Sequence, residues 1–496
     1  MQASIIEFLS DPKIYGADVD HVDLITTHIS HVFLAGTKAY KLKRSLKLPY
    51  LDFSSLDLRK AACENEVKLN KRTAPMIYNG VLPVTLSAEK KLAINGEGEI
   101  VDWLVEMNRF DDDMLLNKCA QKGKLSNTLI ENLAAEIFNF HNKENPVKNT
   151  DAGAVMASIV ENNTQCFLQY GADILGHHKI TELSEKTQAR LGEVALLLDR
   201  RRDEGKVRHC HGDLHLGNIV LIDDQPVLFD AIEFSDELAT IDVIYDLAFL
   251  LMDLICQGFQ LQANTLLNRY MALAADYEAL AALPLFLSIR AAIRSHVAAL
   301  AEDKKAAIKY MDFAVKFLEP ISPRLIAIGG LSGSGKSAVA RVLAPSINPL
   351  PGALVLRSDV LRKQLAGVDQ YVKLTDAEYS PDMTRRTYDK MYQDAAAGLL
   401  AGHSVIVDAV FAQTDERAAI ENVAAKAGVV FDGIWLAAEP AVAEQRISSR
   451  RNDASDATVD ILQQQFSYDT GLIDWTKVES SQDLNKVVQS VSEVLS

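Results

Sequence analysis

Two short stretches of this chain carry side chains whose types and order suit chemistry on phosphates. The first is His211-Gly212-Asp213-Leu214-His215-Leu216-Gly217-Asn218, followed by Asp230 in the run VLFDAIEF. One carboxylate accepts or orients a hydroxyl proton, while an amide oxygen and a second carboxylate hold Mg²⁺ on phosphate groups. Asp213 fits the first role, and Asn218 and Asp230 fit the metal roles. His209, His211 and His215 offer a rival metal cluster, but no apt Cys or further His completes it. A plain polar turn is the other rival, since Asp, Asn and Gly are turn residues.

The second stretch is Gly330-Leu331-Ser332-Gly333-Ser334-Gly335-Lys336-Ser337, a full match to G-x-x-x-x-G-K-[ST]. Its glycines let backbone N–H groups curl around a phosphate, and the helix that follows turns its positive end there. Lys336 reaches the β and γ phosphates, and the Ser337 hydroxyl ligates Mg²⁺. Further on, Asp359 ends the run ALVLRSD, at the edge of a sheet where ligands bind. Asp408 in SVIVDAVF is placed to complete the Mg²⁺ shell. Arg446, Arg450 and Arg451 lie in a helical run from which a lid brings guanidinium groups onto phosphate. A helix cap for the acids and a solvated face for the arginines are the competing readings.

The elements that must position these groups are legible in the periodicity. The runs HISHVFLAG, AYKLK, YNGVLPVTL and IVDWLVEM read as strands, with a helix from Ser55 to Arg72 among them. A helical region spans Lys124 to Arg202, and NIVLI and PVLFDAIEF form a hairpin about Asp223, Asp224 and Gln225. Helices resume from Ile241 to Leu318. After Pro320 and Pro323, RLIAIGGLSGSGKSAVARVLA reads as strand, loop and helix. The runs ALVLRSD, SVIVDAVF and VVFDGIWLAA then alternate with helices, as in a parallel sheet.

Length, at 496 residues, calls for more than one domain. The natural cut is at residue 321, giving domains 1–320 and 321–496. A net charge of −16 argues against a general nucleic-acid or anionic-membrane binder, because phosphate contacts need clustered Lys and Arg. Five scattered cysteines without a C-x-x-C pair suggest reduced thiols rather than a disulfide framework or zinc site. The N-terminal residues lack the apolar stretch of a signal peptide, and VIYDLAFLLMDLICQ, broken by Asp246 and Asp253, reads as a core helix. A soluble, cytoplasmic protein is expected.

HGDLHLGN, LFDAIEF and the later Ile241-Asp242-Val243-Ile244-Tyr245-Asp246-Leu247-Ala248 together resemble the aminoglycoside phosphotransferase and choline-kinase-like family over most of residues 25–315. The spacing H-x-D-x-x-x-x-N, then an Asp on the next hairpin, is that of the protein-kinase catalytic loop. The resemblance implies that Asp242 and Asp246 brace the loop. It also calls for a strand lysine paired to a helical glutamate. AYKLKR offers Lys41 and Lys43, with Lys41 preferred because the small Ala39 precedes it by two residues; Glu66 is preferred to Glu64. A Gly-rich loop G-x-G-x-x-G is absent, with HISHVFLAGTKAY in its place, and VDWLVEM ends at Glu106 and Met107 where a hinge to adenine would lie.

GLSGSGKS, LRSDVLRK, VIVDAVF and QRISSRRNDASDAT resemble the small P-loop kinases related to gluconate kinase and the zeta toxins. That resemblance implies that Asp359 contacts the phosphate-accepting hydroxyl, with Arg362 nearby. The order of the two parts resembles bifunctional aminoglycoside phosphotransferase/ATP-binding proteins. The expected fold is an α+β bilobal protein-kinase-like domain followed by an α/β P-loop domain with a parallel sheet. The expected function is transfer of the γ-phosphoryl group of ATP, with Mg²⁺, to a hydroxyl on a small molecule, at two nucleotide sites. The alternatives are one catalytic domain regulated by the other, or a nucleotide-hydrolysing stress protein without an acceptor. The sequence identifies neither the acceptor nor the oligomeric state.

Overall fold

The computed structural model describes residues 2–48, 51–450 and 453–495. They divide into two compact units, 1–155 with 198–250, and 156–197 with 251–496.

The first unit is built on a six-stranded antiparallel sheet. Its strands lie in the order Val22–Thr26, Ser30–Ala35, Lys38–Lys43, Glu99–Asn108, Tyr78–Leu86 and Leu92–Ile94. Helix Leu56–Asn70 packs against this sheet. Ser55 caps it, its Oγ accepting from the Leu58 N–H at 3.2 Å, a bond of the kind worth ~1 kcal/mol. The buried residues Arg59, Ala62, Cys63, Glu66, Val67 and Asn70 recur at three and four, so one face of the helix meets the sheet. Glu66 falls on that face, which is why a carboxylate ends up inside. Cys63 and Val67 join Leu34, Ala39, Tyr78, Val105 and Met107 in a common core. The catalytic-type stretch follows strand Val207–His209 and precedes the hairpin Ile219–Ile222 and Gln225–Leu228.

The second unit contains a five-stranded parallel sheet in the order Leu354–Arg357, Val405–Asp408, Arg324–Gly329, Val430–Ala437 and Thr476–Glu479. Strand Arg324–Gly329 is central and almost wholly buried, which explains its unbroken apolar run Leu-Ile-Ala-Ile. Helices Lys336–Leu343 and Leu484–Leu495 cover the sheet with Val339, Ala340, Leu343, Val487 and Val491. The helices Gln260–Ala274, Leu283–Leu300 and Lys304–Lys316 belong to this same unit, so its compact body extends to the N-terminal side of residue 321. Leu283–Leu300 alone among the described helices is long and apolar enough to cross a membrane. It is 61% buried inside the protein, and that burial accounts for its apolar character.

Most expected elements are present, but the strand read in PVLFDAIEF ends at Leu228, and Ile241 and Asp242 begin no helix, lying in a short strand, Thr240–Asp242, paired with Val207–His209. Helix Ser55 to Arg72 runs from Leu56 to Asn70, because Ser55 serves as the cap. Asp359 lies beyond its strand, in the first turn of helix Ser358–Leu365. The chain is thus an α+β protein-kinase-like part followed by an α/β P-loop part with a parallel sheet.

Candidate active sites

In the first unit, strand Lys38–Lys43 alternates so that Lys41 and Lys43 both point inward. Lys41 Nζ donates to Glu66 Oε1 at 2.8 Å and to Asp230 Oδ1 at 2.6 Å. Lys43, fully buried, pairs with the other oxygen of Glu66 and with Glu233. The two candidate lysines therefore share one glutamate, but only Lys41 faces Asp230. Burial works against the charge of Lys41, yet Asp230 and Glu66 outweigh it and hold its pKa well above the ordinary value. Burial likewise opposes ionisation of Glu66, but the two lysines pull its pKa down to about 2. The competitor Glu64 sits on the outer face, 3.7 Å from Lys60.

Asp230 adopts a positive φ of 60° at the end of the hairpin, and the segment after it is pinned from several sides. Its N–H donates to the Tyr78 hydroxyl at 3.2 Å, and the Ala231 N–H donates to Asn70 Oδ1 at 2.8 Å. Asn65 Nδ2 donates to the Glu233 carbonyl. In the loop, Asn218 Nδ2 donates to both the carbonyl and Oδ2 of Asp213, each at 2.9 Å. His215 Nε2 lies 3.5 Å from the same carboxylate.

Asp246 holds the loop backbone, accepting from the N–H of His211 at 3.1 Å and of Gly212 at 2.8 Å. His141 Nε2 reaches the same carboxylate at 3.0 Å. Asp242 is engaged elsewhere, in a two-point pair with Arg201 at 2.7 and 2.9 Å. His209, His211 and His215 do not gather. The metal-type grouping that does form is His141, Cys210 and Asp246, all buried, with Asp246 already occupied by loop amides. Burial lowers the pKa of His211, whose Nε2 is 2.9 Å from the Phe229 carbonyl oxygen. Across the strands, Ala39 faces Met107 in register.

In the second unit, the loop between strand Arg324–Gly329 and helix Lys336–Leu343 holds itself closed. Lys336 Nζ donates to the carbonyls of Gly330 at 2.8 Å and Leu331 at 3.1 Å. Burial lowers its pKa, against the opposing pull of Asp408 and Asp359. Ser337 Oγ donates to Asp408 Oδ2 at 2.5 Å. Gly333 has a φ of +79°, and a Cβ there would lie 2.6 Å from the Ala443 carbonyl oxygen, so no other residue fits without displacing backbone. The Ser332 N–H donates to Oε1 of the buried Gln465 at 2.7 Å, and Ser334 Oγ is buried without a hydrogen-bond partner.

Asp359 is half-buried, and partial desolvation raises its pKa although Arg357 opposes the shift. Arg357 links it to the rest of the site, with Nε 3.4 Å from Asp408 Oδ2 and Nη2 3.0 Å from Asp453 Oδ1. Arg362 stacks on the Tyr379 ring at 4.9 Å. Arg446 is held by the carbonyls of Ser480 at 2.7 Å, Gln482 at 3.3 Å and Ser334 at 3.4 Å. Arg450 Nη1 is buried without a hydrogen-bond partner, and Arg451 lies outside the described residues.

Sequence reasoning passed over Glu233, Tyr78, Asn70, Arg357 and Gln465. A short-range signal existed for two of them: Glu233 lies in the same LFDAIEF run as Asp230, and Arg357 lies two residues before Asp359. Nothing local marked the others.

The donor sets fit a hard divalent cation: Asp230, Asp213 and Asn218 in one site, and Ser337 with Asp408 in the other, offer oxygen atoms. The closed loop of residues 330–337, with its glycine that excludes a Cβ and its orphaned Ser334 hydroxyl, fits a phosphate chain.

Two family models match segments of the chain. Residues 167–283 match the phosphotransferase enzyme family, a span that includes Asp213, Asn218, Asp230 and Asp246. Residues 325–468 match an AAA domain family, a span that includes the phosphate loop, Asp359, Asp408, Arg446 and Arg450. Uncharacterized proteins of Mycobacterium tuberculosis and Mycobacterium bovis are 28% identical over 473 residues, 92% of this chain and 92% of theirs. Among solved structures, the aminoglycoside phosphotransferase APH(4)-Ia is similar over 64% of this chain and 98% of its own, with 11% identity and a TM-score of 0.39. A gluconokinase from Sinorhizobium meliloti is similar over 35% of this chain and 91% of its own, with 22% identity and a TM-score of 0.25. The chain thus carries a segment that matches the phosphotransferase enzyme family and, after it, a P-loop segment that matches an AAA domain family.

Proposed function

We propose that the protein moves the γ-phosphoryl group of ATP to hydroxyl groups of small molecules at two separate nucleotide sites. The observation that carries the first site is the contact of Lys41 with both Glu66 and Asp230, beside the Asp213–Asn218 pair. In this reading Lys41 neutralises phosphate oxygens and Glu66 fixes its ammonium. Asp213 accepts the proton of the attacking hydroxyl. Asn218 and Asp230 would hold Mg²⁺, which supplies charge neutralisation on the phosphates.

At the second site, the N–H groups of residues 330–337 cradle the phosphates and Lys336 swings from its own carbonyls onto them. Ser337 and Asp408 would hold Mg²⁺. Asp359, its pKa raised by partial desolvation, takes the acceptor's proton. Arg446 and Arg450 are the lid cations of this reading, with Arg450 supplying the buried unpaired N–H. We assign residues 1–320 and 321–496 as the two domains of origin, since the family matches fall on either side of residue 321.

Calorimetry with a non-hydrolysable ATP analogue and Mg²⁺ tests the reading. Two sites are expected in the full chain, with one lost in Lys41→Met and the other in Lys336→Ala. A single site, abolished by Lys336→Ala alone, would leave the first part without a nucleotide role.

A further inference from the structure

Strand Leu354–Arg357 is the edge of the parallel sheet, and it leads straight into Asp359. An edge strand exposes a row of unpaired N–H and C=O groups, which proteins must cover. Here the cover is a row of side-chain amides on helix Gln260–Ala274. Asn268 Oδ1 accepts from the Val355 N–H at 2.6 Å, and its Nδ2 donates to the Ala353 carbonyl at 3.2 Å. A carboxamide offers the same donor and acceptor as a peptide group, so Asn268 stands in for one residue of a missing neighbour strand.

Asn264, itself buried, donates to the same Ala353 carbonyl at 3.0 Å and accepts from Asn268 Nδ2 at 3.1 Å. Gly352 permits the approach: its φ is +130°, and a Cβ there would sit 2.7 Å from Asn264 Nδ2. Gln260 bonds the Pro345 carbonyl, and Arg269 pairs with Asp369 at 2.7 Å. The helix is thus held against the strand at Val355 and against the segments before and after it at Pro345, Ala353 and Asp369.

The clamp lies close to the chemistry. Val355 is two residues before Arg357, and Arg357 is in register with Asp408 on the neighbouring strand. Arg357 Nε lies 3.4 Å from Asp408 Oδ2, the atom that also accepts from Ser337 Oγ. A lateral shift of the edge strand would therefore disturb the neighbouring strand that ends in Asp408, the carboxylate proposed to hold Mg²⁺.

We infer that Asn264 and Asn268 are positioning residues of the P-loop site, supplied by a helix that lies in the phosphotransferase-family segment. The P-loop site is built on the other part of the chain. This inference rests on the nucleotide reading of residues 330–337.

The test uses the full chain carrying Lys41→Met, so that the first site is silent. Binding of a non-hydrolysable ATP analogue is titrated with and without Mg²⁺. Asn268→Ala is expected to cut the Mg²⁺-dependent gain in affinity about tenfold, the effect of one or two neutral hydrogen bonds. Affinity without Mg²⁺ should stay unchanged, because the phosphate loop hangs on the central strand. Asn268→Asp keeps the acceptor for the Val355 N–H and should restore most of the gain. Asn264→Ala should give a smaller loss, about threefold, and it decides the matter if Asn268→Ala does not fold.

Equal Mg²⁺ dependence in Asn264→Ala and the parent overturns the inference, as does equal behaviour of Asn268→Ala and Asn268→Asp. A Lys336→Ala chain that still binds the analogue in this background overturns the nucleotide reading itself, which separates the two failures.

Discussion

Two lysines in this chain are proposed for the same task and are held in opposite ways. Lys41 is fixed by carboxylates 25 and 189 residues away, whereas Lys336 rests on carbonyls 6 and 5 residues away. In the first site the cation is the centre of a buried ion network with Glu66, Asp230, Lys43 and Glu233. In the second it lies in a cradle of its own backbone. Burial of charge needs compensating charge, so the first design requires distant segments to be brought together before the lysine is in place. The second requires only a loop with the right glycines. The difference predicts that the first site is sensitive to single charge changes and the second to local ones.

The largest expected effect tests whether the first site is a catalytic loop at all. Asp213→Asn keeps shape but removes the proton acceptor, and it should lower first-site phosphotransfer by ~10²–10⁴-fold. Single-turnover assays in the full chain measure it, and P-loop turnover should be unaffected. Near-normal transfer in this variant would make the first unit a scaffold and erase the comparison.

Lys336→Ala should lower second-site turnover by ~10²–10³-fold, as loss of one charged contact to the transferring group does. Its fold should persist, since the lysine bonds only its own loop. A large fall in melting temperature would show that the loop depends on the lysine more than the cradle picture allows.

Glu66→Gln should behave in the opposite sense and cost stability first, by ~3–5 kcal/mol, because it leaves two buried ammonium groups undercompensated. The pH dependence follows from the pKa of about 2 in the folded state against an ordinary 4.5. A depressed carboxyl contributes its stability fully above the unfolded value and loses it as pH falls through the folded one. The difference in urea midpoint between the parent and Glu66→Gln should thus be greatest near neutrality and shrink between about 4.5 and 2. A difference independent of pH would mean that packing and not charge carries the network.

The smallest effect sharpens the point about distance. Ser55→Ala removes the cap of the helix that carries Glu66 and should cost ~1 kcal/mol. It should weaken nucleotide binding at the first site slightly and leave the second untouched. Equilibrium unfolding combined with calorimetry reads both numbers.

The contrast also explains what could be read in advance. The eight residues 330–337 are contiguous, and their geometry is set by glycine conformations and a following helix, so the pattern contains the site. The stretch 211–218 is legible for the same reason, while the Asp213–Asn218 bond within it is a finding of the structure. For the choice between Lys41 and Lys43 the sequence offered only the small Ala39 as a discriminator. Both alternate inward on one strand, both touch Glu66, and only the path of the segment after Asp230 separates them by placing Asp230 against one and Glu233 against the other.

The sequence by itself determined most of the strands and helices, the two phosphate-directed motifs and the type of chemistry each can do, because periodicity and local turn chemistry act over a few residues. Only the tertiary structure decided which charges meet, that Asp246 rather than Asp242 holds the His211–Gly212 backbone, and that Asn264 and Asn268 close the edge of the parallel sheet. Those contacts join residues tens to hundreds of positions apart. Their geometry follows from packing of whole elements, and no local pattern records it.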